Sequence, residues 1–191
     1  MRTLMDLRNT DIENLKKAGI NHVAVYGTLR EGNGAHRMVE DLERVGDTMS
    51  LDGQVFGIYN TGPFPYIVDY DTIFGEGEDD MIRHVQAQGP VVELYKLPHD
   101  TYEQRIARLD MYEGYPALYN RDVVEITSPE QEVYRAVLYT WADVEAGIRP
   151  NHPMVPYADW NRARGIGPEP DWFVLDEMAE DEFNEDVRED R

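Results

Sequence analysis

The chain has 191 residues, 41% of them apolar and 10% aromatic, which is enough to bury one core and normal for a globular domain. A net charge of −20, from 38 acids against 18 lysines and arginines, argues against nucleic acid and anionic membrane as partners, because both need basic patches. Without cysteine there are no disulfides, thiolate metal ligands or cysteine nucleophiles, and no run of 18 apolar residues is present to cross a bilayer.

The first seventeen residues lack the continuous apolar stretch of a secretory signal, so a cytoplasmic location is expected. Thr10-Asp11-Ile12-Glu13 has the form of a capping box and Gly19 suits a helix C-terminus, which predicts a short helix over 11–18 in an N-terminal extension, 1–21. His22–Tyr26 reads as a buried strand entering a turn at Gly27, and Leu29–Gly34 as a loop. His36–Leu42 is expected to be a short helix with Met38, Val39 and Leu42 inward. Strands are expected at Arg44–Met49, Gln54–Tyr59, Tyr66–Val68 and Val91–Tyr95, punctuated by Gly53, Gly62-Pro63 and Pro65. Residues 70–89 show little apolar periodicity and read as a surface insertion.

His99–Met111 carries Tyr102, Ile106 and Leu109 at helical spacing. Val123–Ile126 and Val133–Tyr139 form an expected antiparallel pair across Ser128-Pro129-Glu130. Many strands, few helices and no βαβ alternation indicate an α+β fold with a mixed or largely antiparallel sheet. The main domain is placed at 22–167, followed by an acidic tail, 168–191. Residues 169–191 hold eleven acids against Arg188 and Arg191. In this tail 171–178 is expected to dock as an amphipathic helix, with disorder beyond about residue 183.

Few patterns carry chemistry. Gly27-Thr28-Leu29-Arg30-Glu31-Gly32 has the glycine spacing of a phosphate loop, but Asn33 stands where lysine is needed. The turn is then either a plain tight turn or a set of backbone N–H donors aimed at an anion or oxyanion. The five histidines have no metal-ligand spacing, and Ser50 and Ser128 lie outside any nucleophile elbow. Asp110 and Glu113 are spaced i, i+3, near one helix face, whereas glycosidase chemistry sets two carboxylates across a sugar and usually draws them from different elements. Asp110 is expected to brace the helix end and Glu113 to face inward. Gly114 and Pro116 end the helix there, leaving Glu113 either a solvated surface acid or the acid of a pocket.

Together these segments resemble the gamma-glutamylcyclotransferase-like family, most closely its gamma-glutamylamine cyclotransferase branch. Val25-Tyr26-Gly27-Thr28-Leu29-Arg30 is similar to the family's Y-G-T-L loop, and Gly34-Ala35-His36-Arg37 to the G/N-x-H after it. Gly57-Ile58-Tyr59 through Pro65-Tyr66-Ile67-Val68 resembles its hairpin. Val91-Val92-Glu93-Leu94-Tyr95 resembles its v-x-G-E-l-Y strand, with Val92 where glycine is usual. Leu109-Asp110, Glu113, Pro116, Tyr119 and Arg121 are similar to L-D-x-x-E-x-x-P-x-x-Y-x-R, and Pro156–Trp160 to a late G-D-W element.

The resemblance implies a small barrel-like mixed sheet with a cavity. It implies that Tyr26, Gly27, Thr28 and Leu29 cradle a gamma-glutamyl group, that Glu113 is the catalytic acid/base and that Tyr119 closes the pocket. The implied reaction needs no cofactor or metal and acts on a small gamma-glutamyl molecule, releasing 5-oxoproline. Arg121 is expected to pair with an acid on a neighbouring strand. The alternative is a non-catalytic small-molecule binding or protein-interaction module on the same fold. A hydrolase using water as nucleophile is a more distant possibility. Neither the leaving amine nor the oligomeric state is readable.

Overall fold

The computed structural model describes residues 7–52, 55–70, 89–142 and 152–166. In chain order its elements are α1 (Ile12–Lys17), β1 (His22–Val25), β2 (Glu43–Arg44), β3 (Met49–Ser50), β4 (Phe56–Asn60), β5 (Pro65–Asp69), β6 (Val91–Lys96), α2 (Tyr102–Glu113), β7 (Tyr119–Thr127), β8 (Val133–Trp141) and α3 (Trp160–Ala163). The main sheet runs β2-β6-β1-β8-β7, with β3 also paired to β6, and β4 and β5 form a separate hairpin. Every pairing is antiparallel except β1 with β8, which is parallel. This is the expected α+β fold with a mixed, mostly antiparallel sheet and few helices. The β4–β5 hairpin packs on β8, folding over the sheet to enclose space beside β1.

Period-two alternation puts the sheet between two cores. Val23, Val25, Val123, Val137 and Tyr139 enter one core, with Leu15, Ile106 and Leu109 of the helices. Ala24, Tyr26, Val124, Ala136 and Leu138 enter the other, against Phe56, Ile58, Ile67 and Trp160. Helix α2 buries Tyr102, Ile106 and Leu109 at i, i+4 and i+7. It then stops at Gly114, whose φ of +71° is the left-handed conformation that glycine adopts without strain.

Several boundaries differ from the sequence reading. Asp11, not Thr10, caps α1, its carboxylate accepting from the Asn14 amide at 2.8 Å. In place of a helix over His36–Leu42 there is a 3-10 turn, His36–Met38. Its i→i+3 bonds turn the chain tightly before β2 must pair with β6, while Val39 and Leu42 still bury as expected. The strand expected at Arg44–Met49 is two short ones, because Gly46, at φ +62°, turns the chain out between two pairings with β6. Helix α2 begins and ends later than expected, so Glu113 is its last residue.

The start of the described chain is stitched into the domain. The Arg8 guanidinium bonds Asp122 and, at 2.9 Å, Asp69, joining β7 to β5. The Asn9 amide donates to the Arg121 carbonyl at 2.8 Å. Of the insertion expected at 70–89, residues 71–88 lie outside the described residues, as does the acidic tail with its expected docking helix. Among the described residues no helix is long and apolar enough to cross a membrane.

Candidate active site

A cavity of about 400 Å³ opens where the C-terminal end of β1 meets the end of α2. All six residues singled out from the sequence line it: Tyr26, Gly27, Thr28 and Leu29 on one wall, Glu113 and Tyr119 on the other. The fold explains the convergence. Strand β1 is central in the sheet and its pairing ends at Val25, so the next four residues turn across the sheet end. The last turn of helix α2 lines the same cavity, and its left-handed cap leads the chain on through Tyr119 into β7.

Gly27 is required by close approach: a Cβ there would lie 2.7 Å from Pro65 Cγ. The Arg30 amide bonds back to the Gly27 carbonyl at 3.0 Å, a tight turn that leaves the Thr28 and Leu29 amides outside the β1 ladder. The turn is braced from behind. His36 Nδ1 donates to the Leu29 carbonyl at 3.0 Å. Arg30, 3% exposed, reaches Glu93 at 3.2 Å and Asp159 at 2.6 Å, while the Glu31 amide and the Tyr95 hydroxyl donate to the other Glu93 oxygen at 2.9 Å each. Asp159-Trp160, the late element singled out in the sequence, thus ties down the loop after the turn. Trp160 is buried, and Asp159 also caps α3.

The Glu113 side chain is half-buried at the cavity wall and makes no hydrogen bond or ion pair among the described residues. Protein crowds its carboxylate, and the loss of hydration raises its pKa from 4.5 to about 7. The Tyr26 and Tyr119 phenols are raised too, by desolvation first and then by nearby groups, Glu113 among them, so both remain protonated donors at neutral pH. Tyr26 spends its proton on the Tyr139 carbonyl at 2.9 Å.

Asp110, one turn before Glu113, does brace the helix end. It accepts from Arg121 at 2.5 Å and from the Tyr139 hydroxyl at 2.7 Å. The partner of Arg121 is therefore on the helix rather than on a neighbouring strand. The reason is register: Arg121 and Tyr139 are paired across β7 and β8, and both face α2. Arg121 also bonds the Thr10 carbonyl and lies 4.5 Å from the Tyr115 ring centre.

The sequence did not single out Ala24, Val25, Pro63, Phe64, Pro65, Tyr112, Leu118 or Tyr139, which complete the lining. Pro63 and Phe64 had only a turn signal, Pro65 was marked as part of a hairpin and not of a site, and Tyr139 becomes visible only through strand register. The Tyr112 hydroxyl lies 2.9 Å from Thr28 Oγ1, linking the two walls at the surface. No cluster of three or more histidine, aspartate or glutamate ligands exists among the described residues.

Solved structures of similar overall shape include the uncharacterized protein PH0828 from Pyrococcus horikoshii, 20% identical over 75% of this chain and 92% of its own, with a TM-score of 0.46. YkqA from Bacillus subtilis is 17% identical over 75% of this chain and 40% of its own, with a TM-score of 0.49. The uropathogenic E. coli-specific protein c4763 is 16% identical over 78% and 98%, with a TM-score of 0.47. No curated protein gives a significant match. The sequence model of gamma-glutamyl cyclotransferases, AIG2-like, matches residues 23–162, well over half of the chain, and the chain belongs to that family.

Proposed function

We propose that the protein is a cyclotransferase of the gamma-glutamylamine type, converting a gamma-glutamyl amine to 5-oxoproline and free amine. The observation that carries this reading is the unpaired Glu113 carboxylate, with a pKa near 7, facing a backbone turn across one cavity. A side chain held half-ionised at neutral pH is suited to accept and return protons in one turnover.

The reaction is intramolecular. The substrate's α-amine attacks its own γ-carbonyl carbon, so folding the substrate into the attack geometry supplies much of the rate. The α-amine is mostly an ammonium at pH 7, since such groups titrate near 8. Glu113 accepts a proton from it, and the freed lone pair closes the five-membered ring. The tetrahedral centre places charge on the carbonyl oxygen, for which the amides of the Gly27–Leu29 turn would serve as donors, each such donor typically giving about 10²- to 10³-fold. Glu113 returns its proton to the leaving nitrogen as the old amide bond breaks. In all, two protons leave the α-nitrogen and two arrive on the departing amine, which leaves as its ammonium. Tyr119 lies over the same space as a hydrogen-bond donor to the gamma-glutamyl group.

The test is incubation with gamma-glutamyl amines and peptides, with the product identified by mass. Ring-closed 5-oxoproline is expected. Free glutamate instead points to water as nucleophile, and no product with any compound points to a binding module.

A further inference from the structure

The cavity's floor and mouth are made differently. Its floor is buried: Val25, Tyr26, Leu29, Tyr119 and Tyr139 are all at most 7% exposed. At its opening stand Phe64, Tyr112 and Leu118, exposed by 38, 43 and 53%. Six large hydrophobic side chains are this exposed among the described residues, and three of them ring this one opening. They come from three separate places: the tip of the β4–β5 hairpin, the last turn of α2 and the residue before β7. Each is fixed. Phe64 sits between two prolines, Tyr112 is held to Thr28, and the Leu118 amide bonds the Gly114 carbonyl at 3.0 Å.

The charge at this opening is equally uneven. Among the described lining residues there is no lysine or arginine, and Glu113 is the only acid. The gamma-glutamyl half already brings one α-carboxylate into this cavity, and a leaving group bearing a second would sit beside Glu113 in a protein of net charge −20, with no cation from these residues to meet it. An exposed apolar ring around a cavity marks where an apolar group is received.

Resting on the cyclotransferase reading, we infer that the leaving group is a primary amine with a neutral apolar skeleton, branched aliphatic or aromatic, and not an amino acid or peptide. The gamma-glutamyl half fills the buried floor, and the amine's carbon skeleton lies against Phe64, Tyr112 and Leu118 as it departs. These three side chains set specificity and take no part in the proton transfers.

The test measures kcat/KM for 5-oxoproline release from gamma-glutamyl methylamide, gamma-glutamyl benzylamide, gamma-glutamylglycine and glutathione. Because a single methylene in an apolar pocket is worth about 10- to 200-fold, benzylamide is expected to exceed methylamide by about 10-fold or more, and both carboxylate-bearing compounds by more. Leu118→Ser, at a position 53% exposed, is expected to lower the benzylamide-to-methylamide ratio by about 5-fold or more. Leu118→Lys is expected to raise gamma-glutamylglycine relative to benzylamide. If 5-oxoproline forms but gamma-glutamylglycine or glutathione is the best substrate, or the ratio does not move in Leu118→Ser, the inference is overturned while the cyclotransferase reading stands. If none of the four compounds yields 5-oxoproline, the cyclotransferase reading falls and takes this inference with it.

Discussion

Replacing Glu113 by glutamine removes the proton acceptor and, by the same physics, relieves the folded state of a poorly hydrated charge. The carboxyl titrates near 7 in the folded protein against an ordinary 4.5. At about 1.36 kcal/mol per pKa unit, ionised Glu113 costs the folded state roughly 3 kcal/mol at pH 8. The sign follows from which state holds the proton. Between pH 4.5 and 7 the folded protein keeps it and the unfolded chain releases it, so this group favours folding most below about 4.5. That contribution is lost as pH rises through 7. Glutamine has the same shape and no proton to lose.

Urea unfolding of both proteins at pH 5 and pH 8 reads the effect directly. The advantage of Glu113→Gln over the parent is expected to grow by about 2 kcal/mol between the two, the remainder of the cost already being present at pH 5 or met by water in the opening. The same variant is expected to release no 5-oxoproline, so that stability is gained at the expense of activity. A stability difference that stays constant from pH 5 to pH 8 refutes the claim that the carboxylate is desolvated. A variant with near-normal turnover removes Glu113 from the mechanism.

The parent's kcat/KM is expected to fall with an apparent pKa near 7 on the acid side, because Glu113 must be ionised in the free enzyme, and to fall again near 8 as the substrate ammonium is lost; a stopped 5-oxoproline assay from pH 5 to 9 traces both limbs. Tyr119→Phe keeps the ring and loses one donor, so kcat/KM is expected to drop by a factor corresponding to about 1–2 kcal/mol, well short of Glu113→Gln; an equal loss in the two variants shows that the phenol does more. Gly27→Ala drives a methyl into Pro65, and thermal melting is expected to register about 1–3 kcal/mol of destabilisation; a melt like the parent's refutes the close approach. Arg121→Met strips the cation from Asp110, and chemical denaturation is expected to show a loss of about 3 kcal/mol, with Glu113 placement and turnover suffering together.

Local chemistry marked much of this protein. Gly114 ends α2, the short apolar, β-branched runs Val23–Val25 and Val123–Ile126 make buried strands, and Tyr102, Ile106 and Leu109 make one buried helix face. Each follows from near neighbours alone, through a backbone conformation, a strand-forming composition or a period of about 3.6. The turn at Gly27 and the helix end at Glu113 were legible as breaks in regular structure, while Tyr26–Leu29, Glu113 and Tyr119 were singled out as a site through the family resemblance.

Elsewhere the outcome rested on partners far along the chain. His36–Leu42 has helical spacing, yet the need to bring Glu43 and Arg44 into register with β6 holds it to a 3-10 turn. Arg121 reads as a strand residue in search of a strand partner, and pairing of β7 with β8 instead turns it and Tyr139 together onto Asp110. Sequence by itself marked the residues of the candidate site and the existence of most strands and helices, though not all of their boundaries. Only the tertiary structure decided that those residues share one cavity, that Glu113 lies within it unpaired, and that Phe64, Tyr112 and Leu118 ring its mouth. Desolvation and cavity walls depend on groups brought together from distant positions, and no local pattern encodes them.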